Sequence, residues 1–327
     1  MTENLLNIRN LKVYYPVCKG LVGKISYVKA VDGVTLNVRK GEVLGIVGES
    51  GCGKSTLGKA VCRLIPITDG DVELNGIEIS KMDDKTLRPV RKQMQMIFQD
   101  PYASLNPRMT VHDIIAEPMI IHNMYSSNEE IDRKVKELLN EVGMDSYHAQ
   151  RYPHEFSSGQ RQRIGIARAL ATEPDLIIAD EPVSALDVSI QSQVLNLLSK
   201  LLRERNLTMI FIAHDLSVVE HISNRVVVMY LGNVVEQGTR DELYEKPLHP
   251  YTQALLDAHP IPDPTVRKER VLLEGTIPSA LNPPSGCKFH TRCKKCMQIC
   301  KEQEPRAYHV DGEHIVYCHL YDGENKQ

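Results

Sequence analysis

The sequence lacks the features of secreted, membrane-spanning and nucleic-acid-binding proteins. Its start, MTENLLNIRN, has neither the basic residues nor the apolar run of a signal peptide. The longest apolar runs, such as Val226–Leu231, have the length of core strands, whereas a membrane-spanning helix needs about 20 apolar residues. The formal net charge of −3 gives no reason to expect a nucleic-acid partner, which usually needs a basic face. We therefore expect a cytoplasmic chain whose contact with any membrane is indirect.

Cysteine is scarce over most of the chain, since only three of the eight cysteines precede Gly286. The 327 residues, 42% of them hydrophobic, suffice for one large domain and a smaller one without the help of disulfides. In a reducing cytosol, the five cysteines between positions 287 and 318 indicate a metal or cluster site rather than disulfides.

The clearest motif is a glycine-rich loop between an apolar strand and a helix, in the segment LGIVGESGCGKSTLGKAV. It matches the P-loop pattern G-x-x-x-x-G-K-[ST] from Gly48 to Ser55. Glycines let backbone N–H groups turn toward phosphates, and the helix that follows directs its positive end at the anion. We expect Lys54 to reach the β- and γ-phosphates and the Ser55 hydroxyl to bind Mg²⁺. The predicted ATP-binding residues of the loop are Ser50, Gly51, Cys52, Gly53, Lys54, Ser55 and Thr56.

A second motif, PDLIIADEP, places two acids where a buried strand should end. In an open parallel sheet, ligands bind beyond the carboxyl ends of the strands, so these acids should lie beside the phosphates. We expect Asp180 to hold Mg²⁺, through water, and Glu181 to polarise the attacking water as general base.

Further motifs resemble those of the ATP-binding cassette (ABC) ATPases. FSSGQ (residues 156–160) is similar to the family's signature motif and lies just upstream of the acid-bearing strand. Gln99 resembles the Q-loop glutamine, SALD (residues 184–187) the D-loop, and His214 the switch histidine. Tyr15 is similar to the aromatic residue that stacks on adenine, with Tyr14 as the alternative. The resemblance covers roughly residues 8 to 240.

This resemblance implies an α/β P-loop NTPase core with an antiparallel β subdomain and an inserted helical subdomain at about 100–171, within a nucleotide-binding domain of residues 1–245. It also implies that Gln99 contacts ATP and Mg²⁺, that His214 closes on the γ-phosphate, and that two nucleotides are enclosed in a head-to-tail dimer. The residues implied to contact the ATP of the opposite subunit are Ser157, Ser158, Gly159, Gln160 and Asp187. Ser158 departs from the family's usual glycine.

One helix of the helical subdomain can be predicted from periodicity. In SSNEEIDRKVKELLNEVGM, the apolar residues Ile131, Val135, Leu138 and Leu139 share one face, and Gly143 is typical of a helix end.

Three segments resemble the di- and oligopeptide importers within the ABC family: FQDPYASLNPRMTVHDIIAEP, the insertion CKGLVGKISYVKAVDGV and HPYTQALL. The branch implies two transmembrane permease subunits, a second ATP-binding subunit and, indirectly, an extracytoplasmic peptide-binding protein. It places the chain at the cytoplasmic face of the membrane. Residues 246–327 would form a tail that begins as a proline-rich linker and wraps back on the core.

The cysteines of this tail allow more than one metal. On spacing alone zinc competes well, because Cys293-x2-Cys296 is a zinc-type pair. The resemblance to the importer tail instead implies a [4Fe–4S] cluster held by Cys287, Cys293, Cys300 and Cys318, with Cys296 left as a free thiol. In either case, the metal would stabilise a tail too small to bury much core.

Two alternatives to peptide import stay open. Nickel, glutathione or a short sugar chain could be the cargo, since other subunits recognise it. A non-transport ABC ATPase would instead have tandem cassettes or a long coiled-coil insertion, and neither is visible.

Overall fold

The computed structural model describes residues 3–18, 25–258 and 275–323. Residues 259–274 of the expected linker, and 19–24 of the insertion before the P-loop, lie outside the described residues. The chain divides into two compact units. We call them the phosphate-loop unit (Leu6–Asn37, Val43–Ser80, Ala213–Gln327) and the acid unit (Met1–Leu5, Val38–Glu42, Lys81–Ile212).

The phosphate-loop unit begins with an antiparallel sheet, as the family resemblance implies. Its strand order is β2-β1-β4-β5, and β4 pairs antiparallel with both β1 and β5. The strands are β1 (Asn4–Cys18), β2 (Ile25–Arg39), β4 (Asp69–Leu74) and β5 (Ile77–Glu78).

A second sheet of this unit carries the phosphate loop, and the tail extends it. Strands β3 (Val43–Val47) and β9 (Arg225–Tyr230) are parallel and wholly buried. Strand β10 (Asn233–Thr239) pairs antiparallel with β9 on one side and with β12 (His314–Val316) on the other. Strand β11 (Tyr308–Asp311) forms the edge. The tail therefore wraps back on the core by adding strands to its sheet.

Short helices complete the phosphate-loop unit. Because α1 follows β3 directly, the loop between them lies at the carboxyl end of a buried parallel strand. The helices are α1 (Lys54–Val61), α8 (Leu216–Ile222), α9 (Arg240–Glu245), α10 (Pro250–Asp257) and α11 (Gln298–Glu302), with 3₁₀ turns at His290–Arg292 and His319–Tyr321.

The acid unit contains three parallel strands and most of the longer helices. Strand β7 (Leu176–Asp180) lies between β6 (Met94–Ile97) and β8 (Thr208–Ile212), with Leu176 opposite both Met94 and Thr208. Its helices are α2 (Asp84–Arg91), α3 (Pro101–Ser104), α4 (Val111–Ile121), α5 (Asn128–Glu141), α6 (Ser158–Leu170) and α7 (Val188–Arg205), with 3₁₀ turns at Ser146–Gln150 and Pro153–Glu155.

The helix predicted from periodicity is confirmed as α5. Its buried residues are the four predicted ones, Ile131, Val135, Leu138 and Leu139. The Ser127 side chain caps its first turn by accepting the N–H of Glu130, and Gly143 follows its end with a positive φ of 71°. Within the described ranges, no helix is long and apolar enough to cross a membrane.

A buried carboxylate joins the tail to the core of the phosphate-loop unit. Glu236 on β10 is 0% exposed and accepts three hydrogen bonds, from Leu248 N (2.7 Å), His249 N (2.9 Å) and His314 Nε2 (2.7 Å). His249 in turn caps α10, since its Nδ1 accepts the N–H of Tyr251 at 3.0 Å. Burial lowers the pKa of His249 to about 4, which keeps this ring neutral and able to accept.

We expect Glu236→Ala to destabilise the phosphate-loop unit by roughly 3–5 kcal/mol, because it leaves a buried imidazole and two buried N–H groups without their acceptor. The measurement is thermal unfolding followed by circular dichroism. Glu245→Ala, an exposed residue of α9, is the matched control and should stay within about 0.5 kcal/mol of the unchanged protein. Equal unfolding midpoints for the two variants would contradict this role of Glu236.

Candidate functional site

The phosphate loop adopts a conformation that requires glycine. Gly48 and Gly53 have φ of 150° and 106°, which L side chains rarely adopt. A Cβ on Gly48 would overlap the carbonyl oxygen of Met229, and one on Gly53 would overlap that of Ala30. The predicted strand, loop and helix are therefore confirmed, and the fixed neighbours of the loop exclude larger residues at both positions.

Lys54 points into the loop rather than into solvent. It is 4% exposed, and its ammonium donates to the carbonyl oxygens of Gly48 (2.7 Å) and Glu49 (3.1 Å). A cation at the first position of a helix is repelled by the positive end of the helix dipole. This placement of Lys54 therefore destabilises α1 unless the lysine binds an anion. The Cys52 thiol lies 3.9 Å from the same ammonium, and burial raises its pKa, which keeps it protonated.

Glu49, for which no role was predicted, is held at three points. Its N–H donates to Tyr251 Oη (2.8 Å), its carbonyl oxygen accepts from Lys54, and its carboxylate accepts two hydrogen bonds from Arg292. Sequence reasoning missed Tyr251 and Arg292, because both lie about 200 residues or more from the loop and match no nucleotide motif.

In the acid unit, the two predicted acids stand at the end of β7, as expected. Asp180 is buried at the last position of the strand. Glu181 follows with a positive φ of 46°, a strained conformation for a residue with a side chain. Hydrogen bonds fix it, because its N–H donates to Ile212 O (2.9 Å) and its carbonyl oxygen accepts both Ser184 N (3.2 Å) and Ser184 Oγ (3.0 Å). Ser184, in the predicted D-loop, thus stabilises the strained turn.

Gln99 lies beside Glu181. Its Nε2 donates to Glu181 Oε2 at 3.0 Å, although the two residues are 82 positions apart. Strands β6 and β7 are adjacent and parallel, so the residues that follow them meet at one edge of the sheet. The structure therefore brings the predicted Q-loop glutamine and the predicted general base together.

The signature segment forms the start of α6. Ser157 is the N-cap, and a capping box joins Ser157 Oγ to Gln160 N (3.3 Å) and Gln160 Oε1 to Ser157 N (3.1 Å). Ser158 opens the helix, and Asp187 is the residue before α7. A Cβ on Gly159 would lie 2.5 Å from Ile190 Cγ2, so the two helices approach closely at this glycine.

The two tyrosines that could stack on adenine differ in their surroundings. Tyr14 hydrogen-bonds Asp32, and its ring carries the Lys29 ammonium 5.4 Å from its centroid. Tyr15 is 40% exposed. The predicted switch histidine, His214, is exposed two residues after the end of β8.

The four tail cysteines that are predicted to hold the cluster lie in one neighbourhood. Cys287 N donates to Cys300 O at 2.8 Å, and the electrostatic neighbours of Cys318 include Cys287, Cys293 and Cys300. Burial, followed by these cysteine neighbours, raises the pKa of Cys287 to about 11 and that of Cys318 to about 12. In the part of the chain that the structure describes, no group of three or more His, Cys, Asp or Glu side chains is arranged to hold a metal ion. The cluster-binding appendage is thus not supported by this arrangement and stays a prediction.

Two family models and several curated proteins match this chain. The ABC transporter family model matches residues 31–184, and the model of the oligopeptide/dipeptide transporter C-terminal region matches residues 235–300. The chain is 56% identical over 323 residues to the oligopeptide transport ATP-binding protein AppF of Bacillus subtilis, covering 98% of each chain. It is 56% identical over 319 residues to OppF of Escherichia coli, covering 96% of this chain and 95% of that protein. It is 49% identical to the dipeptide transport ATP-binding protein DppF of Haemophilus influenzae, covering 97% of each.

A solved structure shares the fold. The dimeric ATP-binding cassette MJ0796, in a post-hydrolysis state bound to ADP and phosphate, matches with a TM-score of 0.64 and 30% identity. The match covers 72% of this chain and 98% of that one.

We expect Gly159→Ala to lower ATP hydrolysis on the order of 10- to 100-fold, because the added methyl group pushes the start of α6 away from α7. Steady-state phosphate release measures it. Gly165→Ala on the same helix is the matched control, since a Cβ there meets no atom within 4 Å and alanine favours helix. Adding Ile190→Ala should restore part of the activity lost in Gly159→Ala; no restoration, or equal activity of both glycine variants, would contradict the steric explanation.

Proposed function

The chain belongs to the ABC transporter family, in its oligopeptide and dipeptide transport branch, and we propose that it hydrolyses ATP to drive import of small peptides across the cytoplasmic membrane. The observation that carries the proposal is that each unit holds parts of a hydrolytic site, on a chain that peptide-transport relatives match over almost its whole length. A phosphate loop with an inward lysine and a glutamine–glutamate pair at a strand end are the parts that ATP hydrolysis needs.

The phosphate loop would bind the triphosphate through charge and backbone N–H groups. The Lys54 ammonium now satisfies two loop carbonyl oxygens, and we propose that the β- and γ-phosphates replace them as its partners. Tyr15 would stack on the adenine, because Tyr14 is already bound to Asp32. The remaining proposed contacts of the loop are Ser50, Gly51, Cys52, Gly53, Ser55 and Thr56.

Ser55, Gln99 and Asp180 would hold the Mg²⁺ that accompanies ATP. Their hydroxyl, amide and carboxylate oxygens are the ligands that this hard cation prefers. The Asp180 carboxylate is buried, and a buried carboxylate is stabilised by a cation beside it. When bound, Mg²⁺ neutralises charge on the phosphates.

Glu181 would act as the general base, and His214 would contact the γ-phosphate. The hydrogen bond from Gln99 occupies one oxygen of Glu181, so this glutamine controls where the carboxylate points. The strained backbone at Glu181, held by Ile212 and Ser184, fixes the side chain from the other end. A base must lie within hydrogen-bond reach of the water that it activates, and this double restraint limits its freedom.

We further propose that two ATP-binding subunits enclose two nucleotides. The solved relative MJ0796 is a dimer. In such a dimer, the start of α6 and the end of the D-loop would contact the nucleotide of the opposite subunit. The proposed residues are Ser157, Ser158, Gly159, Gln160 and Asp187. Ser158 replaces a usual glycine, and in a heterodimer it would complete the partner's site rather than its own.

Permease subunits would dock on the acid unit near the Q-loop. Tyr102, three residues after Gln99, is 61% exposed, and its ring lies 4.9 Å from the Arg161 guanidinium. A large exposed ring next to a residue of the hydrolytic site suits a contact that transmits ATP binding to a membrane subunit. The chain would then lie at the cytoplasmic face of the membrane, with the peptide-binding protein acting through the permeases.

The tail cysteines suit a [4Fe–4S] cluster in their chemistry. Cys287, Cys293, Cys300 and Cys318 lie in one neighbourhood, and four cysteine thiolates are the donor set that such a cluster takes. We propose that these residues hold it, with zinc as the alternative, and that it stabilises the tail. Nickel, glutathione or a sugar chain is the alternative cargo for the same ATPase.

We expect Glu181→Gln to bind ATP without hydrolysing it, because glutamine cannot accept the proton of the attacking water. The trapped nucleotide should lock the dimer, seen as a doubling of mass on size-exclusion chromatography with ATP and Mg²⁺. Glu245→Ala is the control and should remain at its ATP-free mass under hydrolysing conditions. A Glu181→Gln variant that hydrolyses ATP at the normal rate would show that another residue is the base.

We expect anaerobically purified protein to be brown, with about four irons and four sulfides per chain. Cys300→Ser should lose the colour, whereas Cys296→Ser, the matched control outside the proposed set, should keep it. Visible absorption with iron, sulfide and zinc analysis is the measurement. One zinc and no iron would refute the cluster and support the zinc alternative. No metal at all would refute both.

A further inference from the structure

The ion pair between Arg292 and Glu49 joins the cysteine-bearing tail to the phosphate loop. Its geometry is bidentate, with Arg292 Nη1 donating to Glu49 Oε2 at 2.7 Å and Nη2 to Oε1 at 3.1 Å. The arginine side chain is 5% exposed and that of Glu49 21%, so the pair is largely shielded from solvent. Surface ion pairs contribute little, but a shielded fork-to-fork pair fixes both partners in one geometry.

The surroundings of Arg292 leave its guanidinium little freedom. It lies 6.0 Å from the centroid of Tyr230, whose ring meets Phe289 edge-on at 5.3 Å. Arg292 N donates to Phe289 O at 3.0 Å, in a 3₁₀ turn directly before Cys293. A buried aromatic cluster therefore positions the guanidinium, and the pair extends this rigidity to Glu49.

Glu49 passes the restraint to Lys54. Its carbonyl oxygen accepts from Lys54 Nζ, the group that we assign to the phosphates. Its N–H is bound by Tyr251, so rotation of the peptide groups on either side of Glu49 is opposed. The carboxylate also stands one residue from Gly48, in a loop whose ligand is anionic. Without a cationic partner, this carboxylate would repel the triphosphate.

We propose that Arg292 is a positioning residue for the phosphate loop: it neutralises the Glu49 carboxylate and holds the loop in its phosphate-binding shape. The inference rests on the proposed function, since it assumes that the loop binds ATP. It makes ATP affinity depend on the cysteine-bearing tail.

The test is a double-mutant cycle in the full-length chain, with KM for ATP, kcat and the calorimetric Kd for ATP and Mg²⁺. We expect Arg292→Gln to raise KM and Kd roughly tenfold, while kcat changes less than about twofold. Adding Glu49→Gln should recover most of this loss, because the uncompensated charge is then gone. Arg292→Lys keeps the charge but loses the two-pronged geometry, so its KM and Kd should lie between those of the unmodified chain and those of Arg292→Gln.

The matched control is Lys288→Gln, which removes a cation of the same segment whose partner is the exposed Glu304. It should leave KM and Kd unchanged. Thermal unfolding of every variant separates loss of folding from loss of affinity. Glu49→Gln alone removes the carboxylate of the ion pair while every residue of the tail stays unchanged. A wild-type Kd in Arg292→Gln, or additive losses in the double variant, would overturn the positioning role. Failure of the unmodified chain to bind ATP would instead refute the proposed function.

Discussion

The phosphate-loop unit depends on one buried carboxylate, that of Glu236. It accepts the N–H groups of Leu248 and His249, which start α10, and the ring N–H of His314 on β12. A buried carboxylate without partners would be strongly unfavourable, so these three donors must come together when the unit folds. Through these three hydrogen bonds, the Glu236 side chain fixes both α10 and β12, the strand by which the tail joins the sheet.

The consequence reaches the nucleotide site. Since α10 is fixed at its first turn, Tyr251 is held where its hydroxyl accepts the N–H of Glu49. The chain of contacts from Glu236 to the loop thus runs through backbone groups and a neutral histidine. Both are insensitive to moderate changes of pH or salt, unlike exposed ion pairs. The loop needs such support because its positive φ angles at Gly48 and Gly53 are reached only by glycine, the residue with the greatest freedom to leave them.

Much of this structure could be predicted from local sequence patterns, whereas few of its long-range contacts could. Helix α5 and its buried face follow from spacing within 14 residues, and the strand–loop–helix around Lys54 follows from one contiguous motif. Arg292 and Glu49 are 243 positions apart, and neither residue type nor spacing marks the pair. Likewise, β12 has only three residues, too short for alternation to indicate either strand or register. The spacing of the cysteines also does not reveal that burial raises the pKa of Cys287 and of Cys318.

The contact between Gln99 and Glu181 could be predicted in part. Glu181 was identified by its place after an apolar strand and Gln99 by its resemblance to the Q-loop glutamine, and their meeting follows once β6 and β7 are parallel neighbours. The strain at Glu181 could not be foreseen, because a positive φ in a non-glycine residue is set by the bonds around it. Those bonds come from Ile212, at the end of β8, and from Ser184 in the D-loop. The backbone conformation of the proposed base therefore depends on a neighbouring strand and on Ser184, rather than on the local sequence of Glu181 alone.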